Sequence, residues 1–201
     1  MHKAPYIIGV TGGIGSGKSV VARLLRLMDV PVYDCDSEAK RLMCDDEALR
    51  RDIVALFGED AYSGGVLNRE FLAARVFSNK EALQRLNGVV HPAVMRDFAA
   101  WAERQNGDYV VLESAILFEA GLDDRVDTTV AVMAPVELRV ERAMRRDGAV
   151  REKIEERMRH QLTDDERCER SKYAIVNIVL EDLEEDVEQL HRRLSYDAHR
   201  A

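Results

Sequence analysis

Residues 12–19 run Gly12, Gly13, Ile14, Gly15, Ser16, Gly17, Lys18, Ser19, which satisfies the pattern G-x-x-x-x-G-K-[S/T]. These residue types suit one task, the holding of a polyphosphate. A triphosphate is a dense anion, and successive backbone N–H groups can surround it where glycines keep side chains out of the way. A helix starting near Lys18 would aim its positive end at the phosphates. Lys18 would place a flexible ammonium on the outer phosphate oxygens, and Ser19 would offer a hydroxyl to a magnesium ion. Ile14, Ser16 and Val20 complete the stretch expected to bind nucleotide. A chance match in a chain of 201 residues is on the order of one in a hundred at average glycine usage, so the motif argues strongly for nucleotide binding. It does not name the group that receives the phosphate.

Two further sets of residues bear on that question. Asp34 and Asp36 close the apolar run Val32-Tyr33-Asp34-Cys35-Asp36. In extended chain, residues two apart face the same side, which would bring both carboxylates to the mouth of a phosphate site. A carboxylate there can take the proton of an attacking hydroxyl, and Asp36 is the preferred general base. Asp34 reads equally as a site residue or as a local helix cap. Arginines Arg139, Arg142, Arg145 and Arg146 follow Pro135. Arg142 and Arg146, four apart on one helical face, could neutralise charge on a moving phosphoryl group from a mobile lid. Arg139 and Arg145 read as a solvated basic face, and Arg157 as a further candidate for the lid. Lys18, taken as an exposed loop lysine, is expected to contribute little to stability.

These residues need elements to hold them. Tyr6 to Val10 is a short apolar run that reads as a buried strand, and residues 18–28 carry Val21, Leu24, Leu25 and Met28 at helical spacing. Further strands are expected at Val30–Tyr33, Tyr109–Glu113, Thr128–Met133 and Ala174–Leu180. Ser37 could cap the helix after the second of them. Residues 45–107 read as mostly helical, broken at Gly58 and at Gly64 with Gly65. Ser78 with Glu81, and Thr163 with Glu166, have capping-box spacing, and Pro92 suits the first turn of a helix running towards Asn106. A helix from Pro135 to near Gly148 and a closing helix over Leu183–Leu194 complete the chain. Strands alternating with helices predict an α/β fold with a parallel sheet covered on both faces, and ligands beyond the carboxyl ends of its strands.

Composition bounds the rest. The apolar fraction is 46% and the net charge −8, enough for a core and no general attraction to nucleic acid or anionic lipid. Three cysteines at unrelated spacings match neither a disulfide framework nor a zinc site. No leader pattern or long apolar span stands out, so a cytoplasmic protein without an obligate protein partner is expected. The guanine-specifying N-K-x-D is absent, and the third strand ends in Glu113 and Ser114 rather than a D-E pair. These absences favour a small-molecule kinase over a GTPase or a motor ATPase.

Beyond single motifs, the chain resembles the dephospho-coenzyme A kinase family over nearly its whole length. The resemblance lies in IGVTGGIGSGKS at 8–19, VYDCD at 32–36, LNREFLAARVFSN at 67–79, LNGVVHPAV at 86–94, ESAILFEAG at 113–121, RAMRRDG at 142–148 and RMRHQ at 157–161. The His91–Pro92 pair together with Leu117-Phe118-Glu119 is the most discriminating part. Cys35 replaces a usual alanine, Ala115 a usual proline, and Ile178 with Val179 stand where the family tends to have a flexible turn after Asn177.

The resemblance implies transfer of the ATP γ-phosphate to the ribose 3′-hydroxyl of dephospho-CoA, with ATP and Mg²⁺ and no nucleic acid or membrane. It implies a three-layer P-loop NTPase fold with a five-stranded parallel sheet. A core over 1–44, 108–140 and 172–201 would be joined by a helical acceptor subdomain near 45–107 and a helical lid near 141–171. Asp36 would be the base, and Lys18, Arg142 and Arg146 would steady the phosphates. Asn177 would lie by the adenine, and Asp34 and His91 on the acceptor side. His91 reads equally as a structural residue. Two other readings stay open: a nucleoside or nucleotide kinase of similar architecture, and a nucleotide-binding module without catalysis.

Overall fold

A computed structural model describes residues 5–77 and 79–201. Five strands form one sheet: β1 (Tyr6–Thr11), β2 (Val32–Asp34), β5 (Tyr109–Glu113), β6 (Thr128–Met133) and β7 (Tyr173–Val176), in the order β2-β5-β1-β6-β7. Every neighbouring pair is parallel. The three inner strands β5, β1 and β6 are apolar and mostly buried, as expected of a sheet with helices on both sides, and the edge strands β2 and β7 are partly exposed. Ile8, Val10, Val111, Val130, Val132 and Ile175 meet Val21, Leu24 and Leu25 of α1 (Lys18–Leu27). The same core takes Leu183, Val187, Leu190 and Leu194 of the closing helix α9 (Leu180–Arg200). The crossover from β6 to β7 carries α6 (Val136–Asp147), α7 (Arg151–Met158) and α8 (Asp164–Arg170).

The chain divides into two compact units, one of residues 1–34 with 102–201 and the other of residues 35–101. The second contains α2 (Cys35–Asp45), α3 (Glu47–Phe57), a short antiparallel ribbon β3 (Tyr62–Ser63) with β4 (Val66–Leu67), α4 (Arg69–Val76), and nearly all of α5 (Lys80–Ala102). Asp46 caps α3 by accepting from the N–H groups of Ala48 and Leu49 at 2.8 and 3.0 Å. Asn68 caps α4 through the N–H of Phe71 at 3.2 Å.

Several local readings change. The strand at Val30–Tyr33 is Val32–Asp34, and that at Ala174–Leu180 stops at Val176, where the closing helix soon begins. Ser37 does not cap α2; the helix already starts at Cys35 and Ser37 lies in its first turn. Pro92 does not open a helix but sits inside the 23-residue α5. Asn79, whose Oδ1 accepts from the N–H of Ala82 at 3.0 Å, caps α5. Ser78, assigned that task from the sequence, lies outside the described residues. The ribbon around Gly64 and Gly65 is too short to announce itself as strand. The Thr163–Glu166 capping box is present as read.

Leu183 has no exposed surface and joins α9 to the sheet core. Leu183→Ala should lower unfolding free energy by about 2–5 kcal/mol, checked by urea denaturation.

Candidate active site

The sheet register sets the site. Val10, the penultimate residue of the central strand, lies opposite Glu113 of β5, and Glu113 lies opposite Asp34 of β2. The glycine-rich loop leaves β1 at this level and enters α1 at Lys18. Gly17, immediately before the helix, has φ 93°, a left-handed conformation that a side chain would strain. Among the described residues no side chain caps this helix end. Among the described residues no backbone carbonyl takes the N–H of Gly15, Gly17, Lys18 or Ser19. These donors and the helix dipole make a seat for an anion.

Lys18 is not the exposed residue expected. Its side chain is 14% exposed, and its Nζ lies 3.7 Å from Glu113 Oε1, itself on a side chain 10% exposed. Glu113 is a site residue that the sequence reading passed over. The signal was available, since a carboxylate closing an apolar strand is the same cue that selected Asp34. Asp36 lies exposed in the first turn of α2, one residue beyond the point where helix begins. The extended-chain argument for putting Asp34 and Asp36 on one side therefore fails, because the chain is extended only as far as Asp34.

The arginines of α6 separate into different tasks. Arg142 donates to the carbonyl of Asn177 at 3.0 Å, to its Oδ1 at 3.4 Å and to the carbonyl of Ile178 at 3.2 Å. Arg146 turns to Asp147 at 2.7 Å, and Arg157 reaches the same carboxylate at 2.7 Å. These two cations hold the Asp147 carboxyl well below the ordinary carboxylate range, Arg146 contributing most. Arg145 is exposed as read. Arg139 is not solvated: it is 4% exposed, donates from Nε to the carbonyl of Ile14 at 2.9 Å and lies 2.8 Å from Asp164. Its position was legible, because Val136, Arg139, Val140 and Ala143 share one helical face and the last two are core residues.

Asn177 is buried between the end of β7 and the phosphate loop. Its Nδ2 donates to the carbonyl of Ser16 at 2.9 Å. Gln161, also passed over, accepts from the N–H of Ile14 at 2.9 Å. Arg167, with no exposed surface, lies 3.2 Å from Glu119 and 3.5 Å from Asp164. Burial pulls its guanidinium down, and the two carboxylates oppose that pull. Within the 35–101 unit, His91 is half-buried beside the core residues Val90, Ala93 and Val94, and burial pushes its ring below the ordinary histidine value.

A parallel sheet with this loop at the end of its central strand, and arginine-bearing helices in the crossover from β6 to β7, defines a P-loop kinase. Comparison with known proteins narrows the class. A family model for dephospho-CoA kinase matches residues 6–182. A dephospho-CoA kinase from Bacteroides fragilis is 47% identical over 171 residues, 85% of this chain and 83% of that protein. One from Thermus thermophilus is 44% identical over 183 residues, 90% of this chain and 88% of that protein. A crystal structure from Thermus thermophilus, 42% identical, superposes with a TM-score of 0.84 over 96% of this chain and 99% of its own. The chain belongs to the dephospho-CoA kinase family.

Lys18→Ala withdraws the ammonium beside the buried Glu113 carboxylate. It should lower the stability of the nucleotide-free protein by about 1–3 kcal/mol, measured by chemical denaturation at neutral pH. The His91 ring should titrate below about 6.5 when followed by NMR. Since the unfolded chain then binds the proton more readily, the stability this residue contributes is complete above that pH. It is lost as pH falls below it, so His91→Gln should flatten the acid limb of the stability profile.

Proposed function

We propose that the protein transfers the γ-phosphate of ATP to the ribose 3′-hydroxyl of dephospho-CoA, giving CoA and ADP, the last step of coenzyme A synthesis. The observation that carries this reading is the family match over residues 6–182, which contains the intact loop at 12–19. ATP lies with its phosphates on Gly12, Gly13, Ile14, Gly15, Ser16, Gly17, Lys18, Ser19 and Val20. The acceptor hydroxyl oxygen attacks the γ-phosphorus. The bond from that phosphorus to the β–γ bridging oxygen breaks, and the hydroxyl proton passes to Asp36.

Lys18 and Arg142 oppose the negative charge of the phosphoryl group in transfer, and Arg146 and Arg157 do so when they leave Asp147. Asn177 belongs to the adenine end of the site. The helices of 45–107, with His91, hold the acceptor together with Asp34. Residues 141–171 act as the lid over the core segments.

The donor set suits magnesium. Ser19 stands in the first turn of α1, and Asp34 and Glu113 offer hard oxygens at the adjoining strand ends. Among the described residues no cluster of three or more His, Cys, Asp or Glu forms a ready-made metal cage. That fits an ion held by Ser19 and the substrate phosphates, where it would neutralise phosphate charge. No helix among the described residues is long and apolar enough to cross a membrane, and Cys35, Cys44 and Cys168 are free thiols. Free thiols and a need for ATP support a cytoplasmic location.

An acceptor panel followed by ADP release tests the substrate: dephospho-CoA should turn over in preference to nucleosides and nucleotides, and faster turnover of any of those would contradict the assignment. Asp36→Ala should reduce turnover by about a hundredfold to ten-thousandfold while MgATP affinity, measured by calorimetry, stays within about threefold. Undiminished turnover would remove Asp36 from the role of base.

A further inference from the structure

Three side chains from outside the phosphate loop grip its backbone. Arg139 Nε of α6 donates to the carbonyl of Ile14 at 2.9 Å, and Asn177 Nδ2 donates to the carbonyl of Ser16 at 2.9 Å. Gln161 Oε1, from the turn between α7 and α8, accepts the N–H of Ile14 at 2.9 Å. Both polar groups of the Ile14 backbone are therefore held by side chains. A carbonyl fixed from outside turns its peptide plane, and the plane's N–H group is fixed with it. In a loop that works through backbone N–H groups, such contacts set where the donors point before any anion arrives.

Each gripping residue is itself held. Arg139 lies 2.8 Å from Asp164, which lies 3.5 Å from Arg167, which lies 3.2 Å from Glu119. Glu119 also accepts the N–H of Leu162 at 3.0 Å, so the residue next to Gln161 is tied to the same network. Asn177 receives Arg142 on both its carbonyl and its Oδ1. The fit is tight at the loop's glycines: a Cβ at Gly13 would overlap the guanidinium of Arg139, and one at Gly17 the side-chain amide of Asn177. Gly13 has no positive φ, so its lack of a side chain answers to Arg139 and not to backbone strain.

Resting on the reading of residues 12–19 as the ATP phosphate site, we propose that Arg139, Gln161 and Asn177 are positioning residues that hold the phosphate loop in its binding shape. On the phosphates of ATP they act only through the backbone of Ile14 and Ser16. Gln161, half-buried and outside the core, is the one that can be altered with least disturbance.

The test is Gln161→Met in the full chain, which keeps length and removes the acceptor, with Arg139→Lys as the second variant. Four quantities are compared with wild type: the KM for ATP, the KM for dephospho-CoA, the melting temperature, and amide exchange at Ile14 in nucleotide-free protein. Gln161→Met should raise the KM for ATP about tenfold, equivalent to one lost hydrogen bond. The KM for dephospho-CoA should stay within about twofold and the melting temperature within about 2 °C, while Ile14 exchange quickens. Arg139→Lys, which cannot reach Asp164 and the Ile14 carbonyl together, should shift the KM for ATP in the same direction. An unchanged KM for ATP with a freely exchanging Ile14 amide overturns the proposal. So does an equal rise in both KM values with a falling melting temperature, which marks general loosening. The exchange measurement needs no nucleotide, so it judges the grip even where wild-type protein fails to bind MgATP; that failure would count against the kinase reading instead.

Discussion

A backbone amide is a useful ligand for phosphate only while its peptide plane is held, because a free loop spends its binding energy on ordering itself. The orientation of a few peptide planes after the central strand is the constraint from which the rest follows. β1 is flanked by β5 and β6, so its carboxyl end is firmly anchored where the loop leaves the sheet. The loop then runs straight into α1, whose own core contacts fix the far end. Glycine at 17 lets the chain make that entry, and the polar grip on Ile14 and Ser16 keeps the intervening planes from turning.

The second requirement is charge placed without loss of fold. The chain as a whole is acidic, with net charge −8, yet the surroundings of the loop are rich in arginine. Burying guanidinium groups such as Arg139 and Arg167 is costly unless each finds a carboxylate and a hydrogen-bond acceptor. Asp164, Glu119 and the backbone carbonyls of Ile14 and Leu162 supply both. Exposed arginines are disposed differently. Arg146 and Arg157 share Asp147 at the surface, where such pairs cost little to break. The buried arginines thus shape the loop, and the exposed ones are left able to move.

Much of this was legible in the sequence, for physical reasons that differ from residue to residue. The inner strands could be read because parallel strands buried on both faces are short apolar runs with little else to imitate them, and Tyr109–Glu113 and Thr128–Met133 fall where read, whereas the partly exposed edge strands β2 and β7 shifted their bounds. The loop could be read because its function demands residue types at fixed spacing. Pro92 misled, since a proline signals a helix start more often than a helix interior, and α5 runs through it. Arg139 misled because residue type was weighed above periodicity. Gln161 and Asn177 act on backbone atoms more than a hundred residues away in sequence, and no local pattern announces such a partner. Asp36 lost its extended-chain argument because helix began one residue earlier than the alternation allowed.

Family membership and loop geometry converge on one claim, that these backbone donors receive the phosphates of ATP. The most direct measurement is a titration of uniformly ¹⁵N-labelled protein with magnesium and a non-hydrolysable ATP analogue, following backbone amide shifts. The largest saturable changes should fall on Gly15, Gly17, Lys18 and Ser19. Saturation that left those four amides unmoved, with changes confined to other parts of the chain, would contradict the account.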